Sequence, residues 1–199
     1  MIELDRLNKT EPYKKFYYFY DNCIKNKQLF PEAIVVSTYD SSFNQVDSRY
    51  VNLKYVLGDE WIFFTNYNSP KGIQIKSHNQ ISVVIFWNCI NVQIRIKAKI
   101  RETSKTFSDS HFAERSYLKN ALAISSKQSS IIQNYEKVKQ NYDETLKNKT
   151  ILSKRPSFWG GYSFTPYEIE FWEGESSRIN KREKFIKKRN IWKKYFLEP

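Results

Sequence analysis

RYVNLKYVLGDEWIFFTNY, residues 49–67, decides the fold. From Arg49 to Tyr55 the residues alternate: Tyr50, Asn52 and Lys54 fall on one face of an extended chain, and Val51, Leu53 and Tyr55 on the other. That pattern marks a strand with one face turned to a core, because successive strand side chains point to opposite sides. Gly58-Asp59 then turns the chain into EWIFFTNY (60–67), rich in aromatic and β-branched residues. Just upstream, EAIVVSTYD (32–40) is a β-branched run that ends in the polar turn SSFN. Three strands in sequence joined by short turns read as an antiparallel meander.

Working outward, SPKGIQIKSH (69–78) reads as a short helix with Ser69 as N-cap and Pro70 at the first helical position. ISVVIFW (81–87) and VQIRIKAKIRE (92–102) read as two more strands. The second is a clean alternation, with Val92, Ile94, Ile96, Ala98 and Ile100 inward and Gln93, Arg95, Lys97 and Lys99 outward. Residues 11–27 open with Pro12 and place aromatics at helical spacing. Residues 105–148 lack strand patterning and read as helices broken around Ser125–Ser130. From 156 to 199, PSFWGGYSF, PYEIEFWEG, SRINKREKF and NIWKKYFLEP return to strands. The expectation is one α+β domain over residues 1–199, an antiparallel barrel of six or more strands with flanking helices. Its parts are an N-terminal helix within 1–30, a helical insertion at 105–148 and C-terminal strands at 156–199.

Hydrophobic residues at 40%, with 14 Tyr, 14 Phe and 5 Trp, supply a core built largely of rings. No apolar run is long enough to span a bilayer, and MIELDRLNKTEPYKK carries charges without an apolar stretch, so a cytoplasmic protein is expected. Cys23 and Cys89 show no CxxC spacing and read as reduced thiols. A net charge of +12 with pI near 9.5 admits three partners: nucleic acid, an anionic membrane or phosphorylated small molecules. Nucleic-acid binders concentrate their cations, whereas here they are spread along the chain. The one dense run, Lys181 to Arg189, reads as a solvated hairpin turn.

Nothing in the residue inventory supports a hydrolase or a metal centre. His78 and His111 are the only histidines, neither has a ligand-spaced neighbour, and GxSxG, GxGxxG and P-loop motifs are absent. Chemistry would have to come from a cofactor, with the protein supplying position and charge. Candidate binding groups are Arg49 and Lys54 on a strand, Lys71 in the first turn of the short helix, Gln128 and Ser129 in the helix break, and Arg178 and Arg182 near the C-terminus. Lys71 stands where free backbone N–H groups already favour an anion.

RYVNLK (49–54), FFTN (63–66), SPK (69–71), VQIR (92–95), SKQSS (126–130), PSFWGG (156–161), IEFWEG (169–174) and RINKR (178–182) occur in the order seen in the pyridoxamine 5'-phosphate oxidases. The chain resembles that family from Glu11 to the closing LEP. The resemblance implies a split β-barrel that dimerises and holds FMN at each end of the subunit interface. It assigns FMN to Arg49, Tyr50, Val51, Asn52, Leu53, Lys54, Phe64, Thr65, Lys71, Gln93, Gln128, Ser129, Trp172 and Arg182, some reaching across from the second subunit. It assigns the substrate 5'-phosphate to Lys54, His111, Arg115 and Lys119, and the pyridine side to Arg178 and Asn180. The implied reaction passes a hydride from C4' of pyridoxine or pyridoxamine 5'-phosphate to the flavin, which oxygen reoxidises. No catalytic residue beyond the flavin is required, because positioning carries the rate.

Four positions depart from the family pattern: Pro70 for an Arg, His111 for a Tyr, Lys119 for a Ser and Asn180 for a His. They leave three readings open. The chain forms pyridoxal 5'-phosphate; or it acts with FMN on a different ring, such as a phenazine precursor; or it is a non-catalytic module that binds flavin, pyridoxal phosphate or nucleic acid.

Overall fold

A computed structural model describes residues 1–199. The chain runs β1 (Glu3–Asp5), α1 (Glu11–Lys25), β2 (Ala33–Asp40), β3 (Gln45–Leu57), β4 (Glu60–Asn66), α2 (Pro70–Ser77), β5 (Gln80–Trp87) and β6 (Val92–Glu102). Helices α3 (Lys105–Glu114), α4 (Tyr117–Ser125), α5 (Tyr135–Lys147) and the single turn α6 (Lys149–Leu152) follow. The chain closes with β7 (Trp159–Glu173), β8 (Lys181–Lys188) and β9 (Ile191–Phe196).

Pairing runs β3–β2–β5–β6–β7, and β4 joins β7 back to β3, so six antiparallel strands close a barrel. The meander β2–β3–β4 with β5 laid beside β2 is a Greek key. Strands β8 and β9 extend the sheet beyond β7. The alternation of β6 is realised in full, with Val92, Ile94, Ile96, Ala98 and Ile100 all buried. Helix α1 buries Tyr13, Phe16, Phe19, Tyr20 and Cys23 against the barrel. Its Phe16 ring lies 4.4 Å from Trp61 and 5.8 Å from Trp87, and Phe19 lies 5.8 Å from Phe171. Each such ring taken out of water stabilises the fold by about 1.5–3 kcal/mol. One cluster of 27 buried residues joins helix and barrel.

Several local expectations need correction. The alternation of β3 breaks at a bulge between Leu53 and Tyr55, after which Val56, not Tyr55, enters the core. PSFWGGYSF and PYEIEFWEG are not two strands but one, β7, which runs through Pro166. Pro166 sits at a register shift against β6, where a missing N–H costs no ladder bond. The basic run 181–189 is mostly β8 and not a turn; only Arg189 and Asn190 turn, both with left-handed φ of 47° and 66°. β1 pairs parallel with β3, a contact too short to leave a pattern. Ser69 occupies the N-cap of α2, but its hydroxyl makes no capping bond and donates instead to Asn66 O at 2.7 Å. Both cysteines are free thiols, Cys23 buried and Cys89 exposed. No helix is long and apolar enough to cross a membrane.

Candidate functional site

A groove of about 850 Å³ opens at one lip of the barrel, between β3, β4, the start of α2, and the α3–α4 cover. Arg49, Tyr50, Val51, Asn52 and Lys54 line it from β3, Phe64 and Thr65 from β4, and Lys71 from α2. His111, Arg115 and Lys119 line it from α3, the α3–α4 corner and α4, and Gln128 and Ser129 from the irregular segment after α4. Thirteen of the expected residues are therefore gathered in one place. Leu53 is not: its side chain is fully buried in the core, as the β3 alternation dictates.

Each polar group is positioned by an identifiable contact. The Thr65 hydroxyl, 3.0 Å from Gln128 Oε1, also accepts from Lys71 Nζ at 3.1 Å; Lys71 further donates to Ser69 Oγ at 3.1 Å. Gln128 thus spends its carbonyl on β4, also taking Asn66 N–H at 3.3 Å, and its amide N–H groups have no protein partner. Ser129 holds a left-handed φ of 68°, an unusual conformation for a residue with a Cβ. Arg49 is pinned by the Thr38 hydroxyl, Val36 O, Gln74 Oε1 and the Asp47 carboxylate.

The electrostatics are one-sided. Five cations line the groove (Arg49, Lys54, Lys71, Arg115 and Lys119) against two carboxylates, Asp47 and Glu114. Only Arg49 is paired. Lys71 is 6% exposed, its donors meet neutral hydroxyls, and burial, with Arg49 nearby, brings its pKa down to about 8. Lys54 is lowered by burial and by Lys119 and Arg115, with Glu32 opposing. His111 falls to about 4 through burial and the repulsion of Arg115, Lys54 and Lys119.

Aromatic rings wall the groove. Phe64 stacks on His111 with centroids 3.7 Å apart and planes 10° apart, and on Trp159 at 5.3 Å. The Arg115 guanidinium lies 4.3 Å over Trp159 and donates to Lys119 O at 3.1 Å. Trp159 escaped the residue-by-residue reading, although PSFWGG pointed to its segment; Tyr55, whose hydroxyl sits 2.8 Å from His111 Nδ1, and Asp47 left no signal at all. The glycines after Trp159 are required by space. A Cβ on Gly160 would stand 2.2 Å from the Tyr67 hydroxyl, and one on Gly161 2.7 Å from Thr103 Oγ1.

The remaining expected residues lie outside this groove within one chain. Gln93, Trp172 and Arg182 pair across β6, β7 and β8, forming one row on the outer face of the sheet. Arg178, with φ of 62°, and Asn180 belong to the β7–β8 turn, where Asn180 Oδ1 accepts from Glu175 N–H at 3.1 Å.

Barrel and groove together define a split-barrel protein whose lip gathers four unpaired cations beside stacked aromatic rings. A family model described as pyridoxamine 5'-phosphate oxidase matches residues 27–148, and one described as the pyridoxine 5'-phosphate oxidase C-terminal dimerisation region matches residues 159–199. The pyridoxine/pyridoxamine 5'-phosphate oxidase of Legionella pneumophila (strain Lens) is 30% identical over 96% of this chain and 89% of its own length. That of Coxiella burnetii is 29% identical over the full length of both. Among solved structures, PhzG of Burkholderia lata 383, in complex with tetrahydrophenazine-1-carboxylic acid, superposes with a TM-score of 0.89 at 24% identity, covering 95% of this chain and 93% of PhzG. A pyridoxamine 5'-phosphate oxidase-related, FMN-binding protein of Nostoc punctiforme superposes with a TM-score of 0.78 at 10% identity, covering 96% and 99%. The chain belongs to the pyridoxamine 5'-phosphate oxidase family, and the enzymes it matches are oxidoreductases.

Proposed function

We propose that this chain is an FMN-dependent oxidase that converts pyridoxine or pyridoxamine 5'-phosphate to pyridoxal 5'-phosphate with oxygen, acting as a homodimer. The observation that carries the reading is Lys71: a nearly buried ammonium with no carboxylate partner, beside Arg49 at the start of a short helix. A buried cation left uncompensated is unfavourable, so the corner is complete only with an anion. The FMN phosphate fits it. Arg49, Lys71, Thr65, Gln128 and Ser129 would hold the phosphate side, and the Arg49–Lys54 strand with Phe64 the ring side. When bound, FMN supplies the hydride acceptor. Lys54, His111, Arg115 and Lys119 would orient the substrate phosphate, so the chain's own part is positioning and charge.

A second copy is supported by the outer face of the sheet. Tyr50 pairs with Val35, Val35 with Val84 and Val84 with Arg95, while exposed Phe86 pairs with Gln93. One apolar strip thus joins the groove lip to the Gln93–Trp172–Arg182 row. A two-fold axis across it would carry that row, with Arg178 and Asn180, to the partner's groove, since such an interface is self-complementary. Residues 1–199 act as one unit in this reading, consistent with a core that is a single cluster.

A second reading, an FMN oxidoreductase of the same fold acting on a different ring, is favoured by Asn180, whose side-chain oxygen is spent within its own turn. The absorption spectrum of the purified protein tests both, and oxidised-flavin bands are expected. Anaerobic addition of pyridoxine 5'-phosphate then separates them. Bleaching supports the first reading, and a flavin that stays oxidised at saturating substrate discards it. A colourless protein that takes up no added FMN would discard both.

A further inference from the structure

We propose that His111 is a proton-carrying ligand: in mildly acidic solution it takes up a proton from solvent when a dianionic group settles among Lys54, Arg115 and Lys119. The inference rests on the reading of this groove given above, in which that group is the substrate phosphate.

Geometry makes His111 suited to the task. Its ring plane is fixed by the Phe64 stack, its Nδ1 faces the Tyr55 hydroxyl at 2.8 Å, and Nε2 has no protein partner while the ring lines the groove. A hydroxyl can donate or accept by turning its own hydrogen. The Tyr55–His111 pair therefore tolerates either protonation state with every heavy atom in place. The ionisable groups around the ring are Lys54 and Tyr55 from β3, Glu114 and Arg115 from the end of α3, and Lys119 from α4; β4 and β7 offer only Phe64 and Trp159. Glu114 is exposed, and burial keeps the Tyr55 phenol protonated. Burial, reinforced by the repulsion of three cations that have no carboxylate partner, holds the imidazole neutral while the groove is empty. A dianion cancels their repulsion and adds an attraction of its own, which reverses the balance. A tyrosine at this position could donate a hydrogen bond but could not add charge.

The test uses the FMN-loaded protein, so that the Arg49–Lys71 corner is filled, and inorganic sulfate, which stays doubly charged across the working range. The chain holds 2 His, so ring-nitrogen NMR resolves His111 directly, and His78, packed edge-on against Tyr39 at 5.4 Å, serves as internal control. Saturating sulfate is expected to raise the His111 pKa by about one unit or more, which by linkage means about tenfold tighter sulfate binding to the protonated form. His78 should not move. His111→Gln should still bind sulfate but lose the strengthening of binding on acidification that the wild type shows. The proposal is overturned if sulfate binds and His111 does not titrate upward, or if His111→Gln keeps the full pH dependence. Failure of sulfate to bind the loaded protein at all would instead sink the reading of the groove, and the proposal with it.

Discussion

The groove and the outer face of β6–β8 treat their cations in opposite ways. On the outer face the cations in and beside the row, Arg95, Lys97, Arg182 and Lys184, are tied down. Arg182 donates through Nε and Nη2 to Glu170 and through Nη1 to Glu198 O, Arg95 takes the other Glu170 oxygen, and Lys97 and Lys184 share Glu168. In the groove, Lys54, Lys71, Arg115 and Lys119 have no carboxylate. The difference teaches where charge is structural and where it is kept for something that arrives later. On that face Glu168 and Glu170 each serve two cations, whereas in the groove a single carboxylate, Asp47, serves Arg49 alone.

The sharpest way to break the comparison is at Glu170, which is 5% exposed and holds two arginines. Glu170→Ala strands those charges and should cost about 3 kcal/mol of folding stability. A denaturant midpoint close to wild type would show that the outer network is not structural. The groove should behave in the reverse sense. Lys71→Met removes a buried charge that the empty protein holds at a cost, so the apo form should be no less stable than wild type. FMN binding should weaken about 10- to 150-fold, the range of a charge-assisted hydrogen bond. Fluorescence titration of the apoprotein measures the second effect, and unchanged affinity would remove Lys71 from the phosphate corner.

The same residue predicts a pH dependence. The folded pKa of Lys71 lies at about 8, below that of the unfolded chain, so the empty protein sheds this proton first as pH rises. An anion binds the charged form. FMN affinity should hold below that pKa and fall above it, by about tenfold per pH unit at most; Lys71→Met should abolish this limb. The smallest effect is expected in the β7–β8 turn. Asn180→His should raise turnover of pyridoxine 5'-phosphate by roughly two- to tenfold, about one ordinary hydrogen bond. A lower rate would mark the turn as adapted to another ring.

How much of this was legible depended on the range of the interaction. The β6 alternation, the α1 aromatics and the meander were readable because period and turn chemistry are local. Pro166 misled because a bulge in its own strand, at Tyr167 beside it, accommodates it and is invisible in sequence. The basic run misled because Lys184 and Lys187 find Glu168 and Asp59 in distant segments. Periodicity could not gather the groove: Lys71, Gln128 and Thr65 meet only through the fold, and the resemblance supplied what spacing could not. Asp47, Tyr55 and Glu170 went unread because a positioning residue has no motif of its own.

Barrel closure has a consequence for biogenesis. Phe64 and Thr65, on the groove floor, pair with Gly161 and Gly160 near the far end of the chain. A nascent polypeptide therefore leaves the ribosome with this floor open along one edge until β7 emerges. The groove is therefore completed only once β7 has paired with β4, and a chain truncated before Trp159 would be an unclosed sheet.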